Sequence, residues 1–191
     1  MLVQGIKSRP VYTGLAIDAK ARRHLFALEG EGVDALLDQV KIAGPAFLRH
    51  ADILCVGPVP NLEADTLWSA PTIPVLLNRL HVCLINAKMG TRLYLAGTEG
   101  FIGQAMKVAL DHTIDFNSIQ TEHRGSMARR VQCVHCKGIT DNVKTSPYVC
   151  THCGLHLLVR DHYSRRLAAF QGVCIDAEEP GTAPPPIEKF P

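Results

Sequence analysis

The stretch His24-Leu25-Phe26-Ala27-Leu28-Glu29-Gly30-Glu31-Gly32-Val33-Asp34-Ala35-Leu36-Leu37-Asp38-Gln39-Val40 decides how the larger part of this chain folds. Its first five residues are an apolar run of strand length, and a glycine-rich turn follows. Val33, Leu36, Leu37 and Val40 then recur at i, i+3, i+4 and i+7, the stripe of an amphipathic helix. Strand, glycine turn and helix in that order are the opening unit of an α/β domain with a largely parallel sheet.

The segments downstream repeat the alternation. Asp52-Ile53-Leu54-Cys55-Val56-Gly57 predicts a second buried strand stopped by Gly57-Pro58. From Asn61 to Pro74 the sequence is loop-like, with prolines at 58, 60, 71 and 74 around it. Val75 to Leu80 predicts a short helix, and Leu80-His81-Val82-Cys83-Leu84 reads either as its continuation or as a short strand. Thr91 to Gly97 is a strand reaching a glycine turn, Phe101 to His112 an amphipathic helix, and Asp115 to Glu122 a last edge strand.

A different pattern begins after the polar linker Glu122 to Arg130. Cys133-Val134-His135-Cys136, thirteen residues, then Cys150-Thr151-His152-Cys153-Gly154 form two C-x-x-C knuckles. Four thiolates on two tight turns suit a tetrahedral ion, with Zn–S distances of about 2.3 Å. Gly154 directly follows the second knuckle, while Gly138 follows the first one residue late. So small a module has little core, and the metal must contribute folding energy. Cys133, Cys136, Cys150 and Cys153 are therefore the expected ligands of one structural zinc. Iron in the same four thiolates is the rival. A Rieske cluster is not matched, because Cys153 stands where its second histidine belongs. The shell is closed, so no catalytic zinc is expected, and His135 and His152 are read as surface or supporting groups.

Composition bounds the rest. With 191 residues, 47% hydrophobic and 20% charged, the chain suits one moderate domain plus a small one. The expected divisions are 1–128 (α/β scaffold or docking domain), 129–175 (zinc-ribbon-like domain) and 176–191 (proline-rich flexible tail). Met1 to Pro10 carries no apolar leader core, and no run reaches the roughly 20 apolar residues of a membrane span. Seven cysteines, an odd number with knuckle spacing, fit a reducing compartment, so a cytoplasmic location is expected. Cys55 and Cys83 read as small buried hydrophobes. Between Arg124 and Phe170 eight basic residues face only Asp141 and Asp161, which predicts an acidic partner. Nucleic acid is the weaker candidate, because Tyr148, Tyr163 and Phe170 make a poor stacking platform. His112, His123 and His162 lack a paired carboxylate or nucleophile in sequence, and no catalytic residue is assigned.

Two resemblances rest on these residues. Leu93-Tyr94-Leu95-Ala96-Gly97-Thr98-Glu99-Gly100-Phe101 and Ile119-Gln120-Thr121-Glu122 resemble the end of the nucleotide-binding domain of ferredoxin-reductase-type flavoproteins. Ala27 to Leu37 is similar to an eroded form of that family's pyrophosphate loop. The departures are specific: Glu29 and Glu31 place anions where a pyrophosphate would lie, Ala96 replaces the turn's cysteine, and Thr98 replaces its proline. Two close like charges repel by about 4 kcal/mol in a semi-buried site. The resemblance implies a scaffold that has lost nucleotide binding.

Cys133 to Val173, above all Val159-Arg160-Asp161-His162-Tyr163-Ser164-Arg165-Arg166-Leu167-Ala168-Ala169-Phe170-Gln171-Gly172-Val173, resembles the small subunit of bacterial dimethylamine monooxygenase. That resemblance implies an accessory subunit in NADPH- and O₂-dependent N-demethylation of dimethylamine to methylamine and formaldehyde. It places haem in a catalytic partner subunit, and FMN with a [2Fe–2S] cluster in a reductase subunit. A rubredoxin-like iron carrier and a zinc-ribbon nucleic-acid binder are the alternatives.

Overall fold

A computed structural model describes residues 8–59 and 61–191, so expectations resting on 1–7 or on Pro60 lie outside the described residues. The chain divides into two compact units. One is Tyr12–Gly125; the other is Ser126–Pro191 together with 8–11.

The first unit is built as the opening stretch predicts. Strand β1 (Arg23–Glu29) runs into α1 (Gly32–Ala43), and β2 (Ala51–Val56), β3 (Thr66–Ala70) and α2 (Ile73–Ile85) follow. Then come β4 (Thr91–Gly97), α3 (Glu99–Asp111) and β5 (Ile119–His123). All strand pairings are parallel, in the order β3-β2-β1-β4-β5. Alternate side chains of β1 serve two cores, because successive residues of a strand point to opposite faces. Leu25 and Ala27 pack with Leu76, Leu80 and Leu84 of α2 and Phe101, Ile102 and Ala105 of α3. Phe26 and Leu28 pack with Ala35 and Leu36 of α1 and with Phe47 and Tyr94. Helices on both faces explain why the strands read as nearly continuous apolar runs.

Two local readings change and one open alternative is decided. Thr66–Ala70, expected in a loop, is edge strand β3 beside β2. Its neighbouring prolines lie outside the strand, and tertiary pairing overrides its weak pattern. Leu80 to Leu84 continues α2, with Leu80 and Leu84 completing the buried stripe begun by Leu76. The last strand starts only at Ile119, after a 3-10 turn at Phe116–Ser118 that Asp115 caps by accepting the Asn117 N–H at 2.8 Å.

The second unit is all β. Strands β6 (Arg129–Cys133), β7 (Ile139–Val143), β8 (Thr145–Ser146), β9 (Tyr148–Val149), β10 (His156–Ser164), β11 (Ala169–Cys174) and β12 (Ile187–Glu188) form two sheets. The larger has the order β7-β6-β11-β10-β9; β12 pairs with β8. Hairpins β6–β7 and β9–β10 each carry one knuckle at the tip. Val131, Val143, Tyr148, Leu157, Val159, Phe170 and Phe190 form the apolar core beside the cysteines.

Phe190 lies in the segment expected to be a flexible tail. Around it, β12 pairs with β8, the Lys189 and Phe190 N–H groups both donate to the Lys144 carbonyl at 2.9 Å, and the Pro191 carbonyl accepts from the Met127 N–H. The Arg129 guanidinium is sandwiched 4.0 Å from the Phe170 ring and 4.1 Å from the Phe190 ring. It also pairs with Asp161 at 2.7 Å. The proline run gives no sign of this, since one apolar residue at its end makes the attachment. Phe190→Ala is expected to cost the second unit about 3 kcal/mol by removing a buried ring and one face of the cation's sandwich. Urea unfolding monitored on this unit checks it, and an unchanged midpoint would restore the flexible tail.

Candidate metal centre

The two knuckles are built alike. In the first, the Lys137 N–H donates to the Cys133 carbonyl at 3.0 Å and the Cys133 N–H donates to the Gly138 carbonyl at 2.9 Å. In the second, Gly154 donates to Cys150 at 3.0 Å and Cys150 donates to Leu155 at 2.9 Å. The fifth residue of each turn sits in the left-handed region, Gly154 at φ 74° and Lys137 at φ 64°. The first knuckle therefore makes the same turn as the second, with lysine where glycine is favoured. Removing the Cβ penalty by Lys137→Gly should stabilise the second unit by about 0.5–1 kcal/mol. A rise in its thermal midpoint checks that.

These turns bring the four thiols together. All four Sγ atoms lie within 4.8 Å of one another, Cys133 to Cys153 and Cys136 to Cys150 both at 3.8 Å. A tetrahedron with metal–sulfur bonds of about 2.3 Å has edges of about 3.8 Å, so the spacing fits a zinc-sized ion. Cys133 and Cys150 are buried, while Cys136 and Cys153 are half-buried.

The charges also call for a cation. Burial works against the Cys150 thiolate, but the N–H groups of Cys153 and His152 and the thiols of Cys153 and Cys136 outweigh it, holding its pKa at about 7. For Cys153 the Leu155 N–H favours the thiolate, yet burial and the other three thiols push its pKa up to about 12. Once one thiol ionises its neighbours resist, and a divalent cation removes that conflict.

His152, absent from the metal cluster, has a structural task. Its Nε2 lies 2.9 Å from the Ile139 carbonyl, and its ring lies where a Cβ on Gly138 would stand, 2.4 Å away. Gly138 is thus the platform on which the second knuckle's histidine rests, and the histidine ties that knuckle to β7. His135 is exposed.

Part of the predicted basic face neutralises itself. Arg129 is buried against Asp161, and Arg130 pairs with Asp141 at 3.2 Å. Arg160, Arg165 and Arg166, along β10 and at the β10–β11 turn, are exposed. Of the histidines considered for acid–base work, His112 Nε2 lies 2.8 Å from His81 Nδ1, His123 lies beside the Tyr12 ring, and His162 is exposed on β10. Cys55 is fully buried, and burial pushes its thiol up to about 11. Cys83 is half-buried on α2.

The first unit places the eroded phosphate loop at the carboxyl ends of β1 and β4, where the strand order reverses. That is the crevice in which open α/β sheets bind ligands. Gly32 is required by packing: a Cβ there would lie 2.1 Å from the Ala96 carbonyl oxygen, so only glycine lets α1 approach β4. The mouth is occupied by the chain's own carboxylate. Glu29 Oε2 accepts the Thr98 N–H at 2.9 Å, just before α3. Beside it Arg124 donates to Glu122 at 2.7 Å and to Asp38 at 3.0 Å, and Glu122 accepts the Leu15 N–H at 2.8 Å. The Thr98 N–H is thereby taken up by Glu29. Among the described residues, no helix is long and apolar enough to cross a membrane.

Comparison with known proteins agrees with both units. Residues 4–119 match the family described as dimethylamine monooxygenase subunit DmmA-like, N-terminal domain. Residues 130–173 match its C-terminal domain. The heme-dependent oxidative N-demethylase delta subunit of Ectopseudomonas mendocina (strain ymp) is 34% identical over 163 residues, covering 84% of this chain and 83% of that protein. No solved structure matches the chain. With both family domains present in order, and with the four-cysteine cluster inside the second, the chain belongs to the DmmA-like subunits of dimethylamine monooxygenase.

Proposed function

We propose that this chain is a non-catalytic accessory subunit of a haem-dependent dimethylamine monooxygenase, with one structural zinc held by Cys133, Cys136, Cys150 and Cys153. The observation that carries this is the closed sulfur cluster: four thiols 3.8–4.8 Å apart leave a tetrahedral ion no open position for a substrate or water. The Glu29 carboxylate at the nucleotide crevice supports the same conclusion, since NADPH then has to bind elsewhere.

The complex converts dimethylamine, O₂, NADPH and a proton to methylamine, formaldehyde, NADP⁺ and water. Haem belongs to a catalytic partner subunit, and FMN with a [2Fe–2S] cluster to a reductase subunit, both cytoplasmic. In this chain, residues 12–125 act as a docking scaffold. The 126–191 unit presents the exposed arginines of the β10–β11 hairpin to an acidic surface. Such charge complementarity speeds and orients an encounter more than it tightens it.

Co-expression with candidate haem and reductase subunits tests this. The expected result is a co-purifying complex with one zinc per copy of this chain. NADPH-driven formaldehyde release should fall when the chain is omitted, while the isolated chain shows no saturable NADPH binding. Failure to co-purify would sink the proposal. Because four thiolates also accept iron, a red protein with one iron per chain would instead make this unit an electron relay.

A further inference from the structure

Helix α2, Ile73-Pro74-Val75-Leu76-Leu77-Asn78-Arg79-Leu80-His81-Val82-Cys83-Leu84-Ile85, carries exposed apolar residues beside its exposed polar Asn78, Arg79 and His81. Its inner stripe, Leu76, Leu80 and Leu84, is buried in the core. On its outer side Val75 is 39% exposed, Val82 45% and Ile85 60%, and Met89 just beyond the helix is 94% exposed. Singly scattered surface hydrophobes need no explanation, but Val75, Val82 and Ile85 fall on one side of the helix, and Val82 and Met89 share the wall of one cavity.

The charges around this face are mainly basic, and the one carboxylate among the described residues of the cavity wall, Asp52, is held by Arg23. No Asp or Glu occurs between Asp65 and Glu99, the whole run that contains β3, α2 and β4. Arg79 and Lys88, with Arg22 from the chain entering β1, edge a cavity of about 600 Å³ at the C-terminal end of α2, with Leu25, Val82 and Cys83 also in its wall. Arg23 in the same wall is already neutralised by Asp52 and Asp65. Arg22, Arg79 and Lys88 are exposed and make no ion pair among the described residues. The cavity lies at the amino ends of β1 and β4, the opposite edge of the sheet from the nucleotide crevice.

We propose that the outer face of α2 and this cavity seat an acidic, apolar-centred segment of a partner subunit. Apolar residues of that segment cover Val82, Ile85 and Met89, and its carboxylates meet Arg22, Arg79 and Lys88. An apolar centre with a charged rim is the anatomy of a protein interface rather than of a small-anion site. The site rests on the accessory-subunit proposal for the existence of a partner, and is separate from the arginine hairpin of the 126–191 unit.

The test uses the full, zinc-loaded chain and the haem and reductase subunits, with affinity measured between about 50 and about 300 mM salt. Val82→Glu and Met89→Glu alter only exposed positions, and circular dichroism with zinc content verifies their fold. The expected result is an affinity loss of about tenfold or more for each, as for the centre of an interface. Arg79→Glu with Lys88→Glu should weaken binding and flatten its salt dependence. If the wild-type chain assembles and these variants assemble equally well, the α2 site is refuted while the accessory role stands. No assembly by the wild type refutes both. Salt-independent self-association of the wild type that Val82→Glu abolishes would make the occupant a second copy, and that also overturns the proposal.

Discussion

Cys150→Ser is expected to unfold the 126–191 unit and leave 12–125 folded. The serine removes one of four thiolates and leaves a site that no longer closes around a divalent ion. Structural zinc contributes about 10–16 kcal/mol in small zinc modules, and the apolar core around these cysteines is small. The first unit has two cores of its own, and none of their members is a knuckle residue. Limited proteolysis of the variant should give a stable fragment ending near Gly125, where the compact parallel-sheet unit ends. Chelation of the wild-type protein should give the same fragment, with the loss of one equivalent of metal. A digestion pattern identical to that of untreated wild type would show that the metal does not hold this unit together.

Gly32→Ala should be the most damaging small substitution in the first unit. The added methyl would stand 2.1 Å from the Ala96 oxygen, 2.4 Å from its carbonyl carbon and 2.7 Å from the Gly97 nitrogen. These are backbone atoms of a central strand and cannot swing aside as a side chain does. The helix must lift from the sheet, which costs at least about 3 kcal/mol and should lower the unit's thermal midpoint by more than about 10 °C. Gly30→Ala provides the contrast. Gly30 has φ 54°, but a Cβ there meets nothing within 4 Å, so only the left-handed backbone penalty of about 1 kcal/mol applies. Equal losses for the two variants would show that the close approach of α1 to β4 is not what requires glycine at position 32.

The first unit was legible where period and punctuation agreed. The run from His24 to Val40 announces β1, the turn and α1, because a buried strand followed by glycines and an i, i+3, i+4, i+7 stripe has few other solutions. Thr66–Ala70 was not legible. With two polar residues in five and prolines nearby, its strand state depends on the partner edge that β2 offers. The basic segment was legible as composition only: sequence counts Arg129 and Arg130 as surface charge, whereas folding places Asp161 and Asp141 beside them. Glu29 was visible as an anion in the phosphate loop. Its bond to the Thr98 N–H joins residues far apart in sequence, and only the pairing of β1 with β4 brings them together.

The sequence by itself determined the two-part plan, the alternation that makes a parallel sheet, and the two cysteine knuckles whose thiols cluster, since each depends on spacing within one short segment. Tertiary structure alone decided which charges remain exposed, that Phe190 closes the second core, and that the crevice at the carboxyl ends of β1 and β4 holds a carboxylate. The physical reason is range. Periodicity and knuckle spacing are local properties of the chain, whereas charge pairing and cavity filling depend on residues that meet only after the strands have found their order.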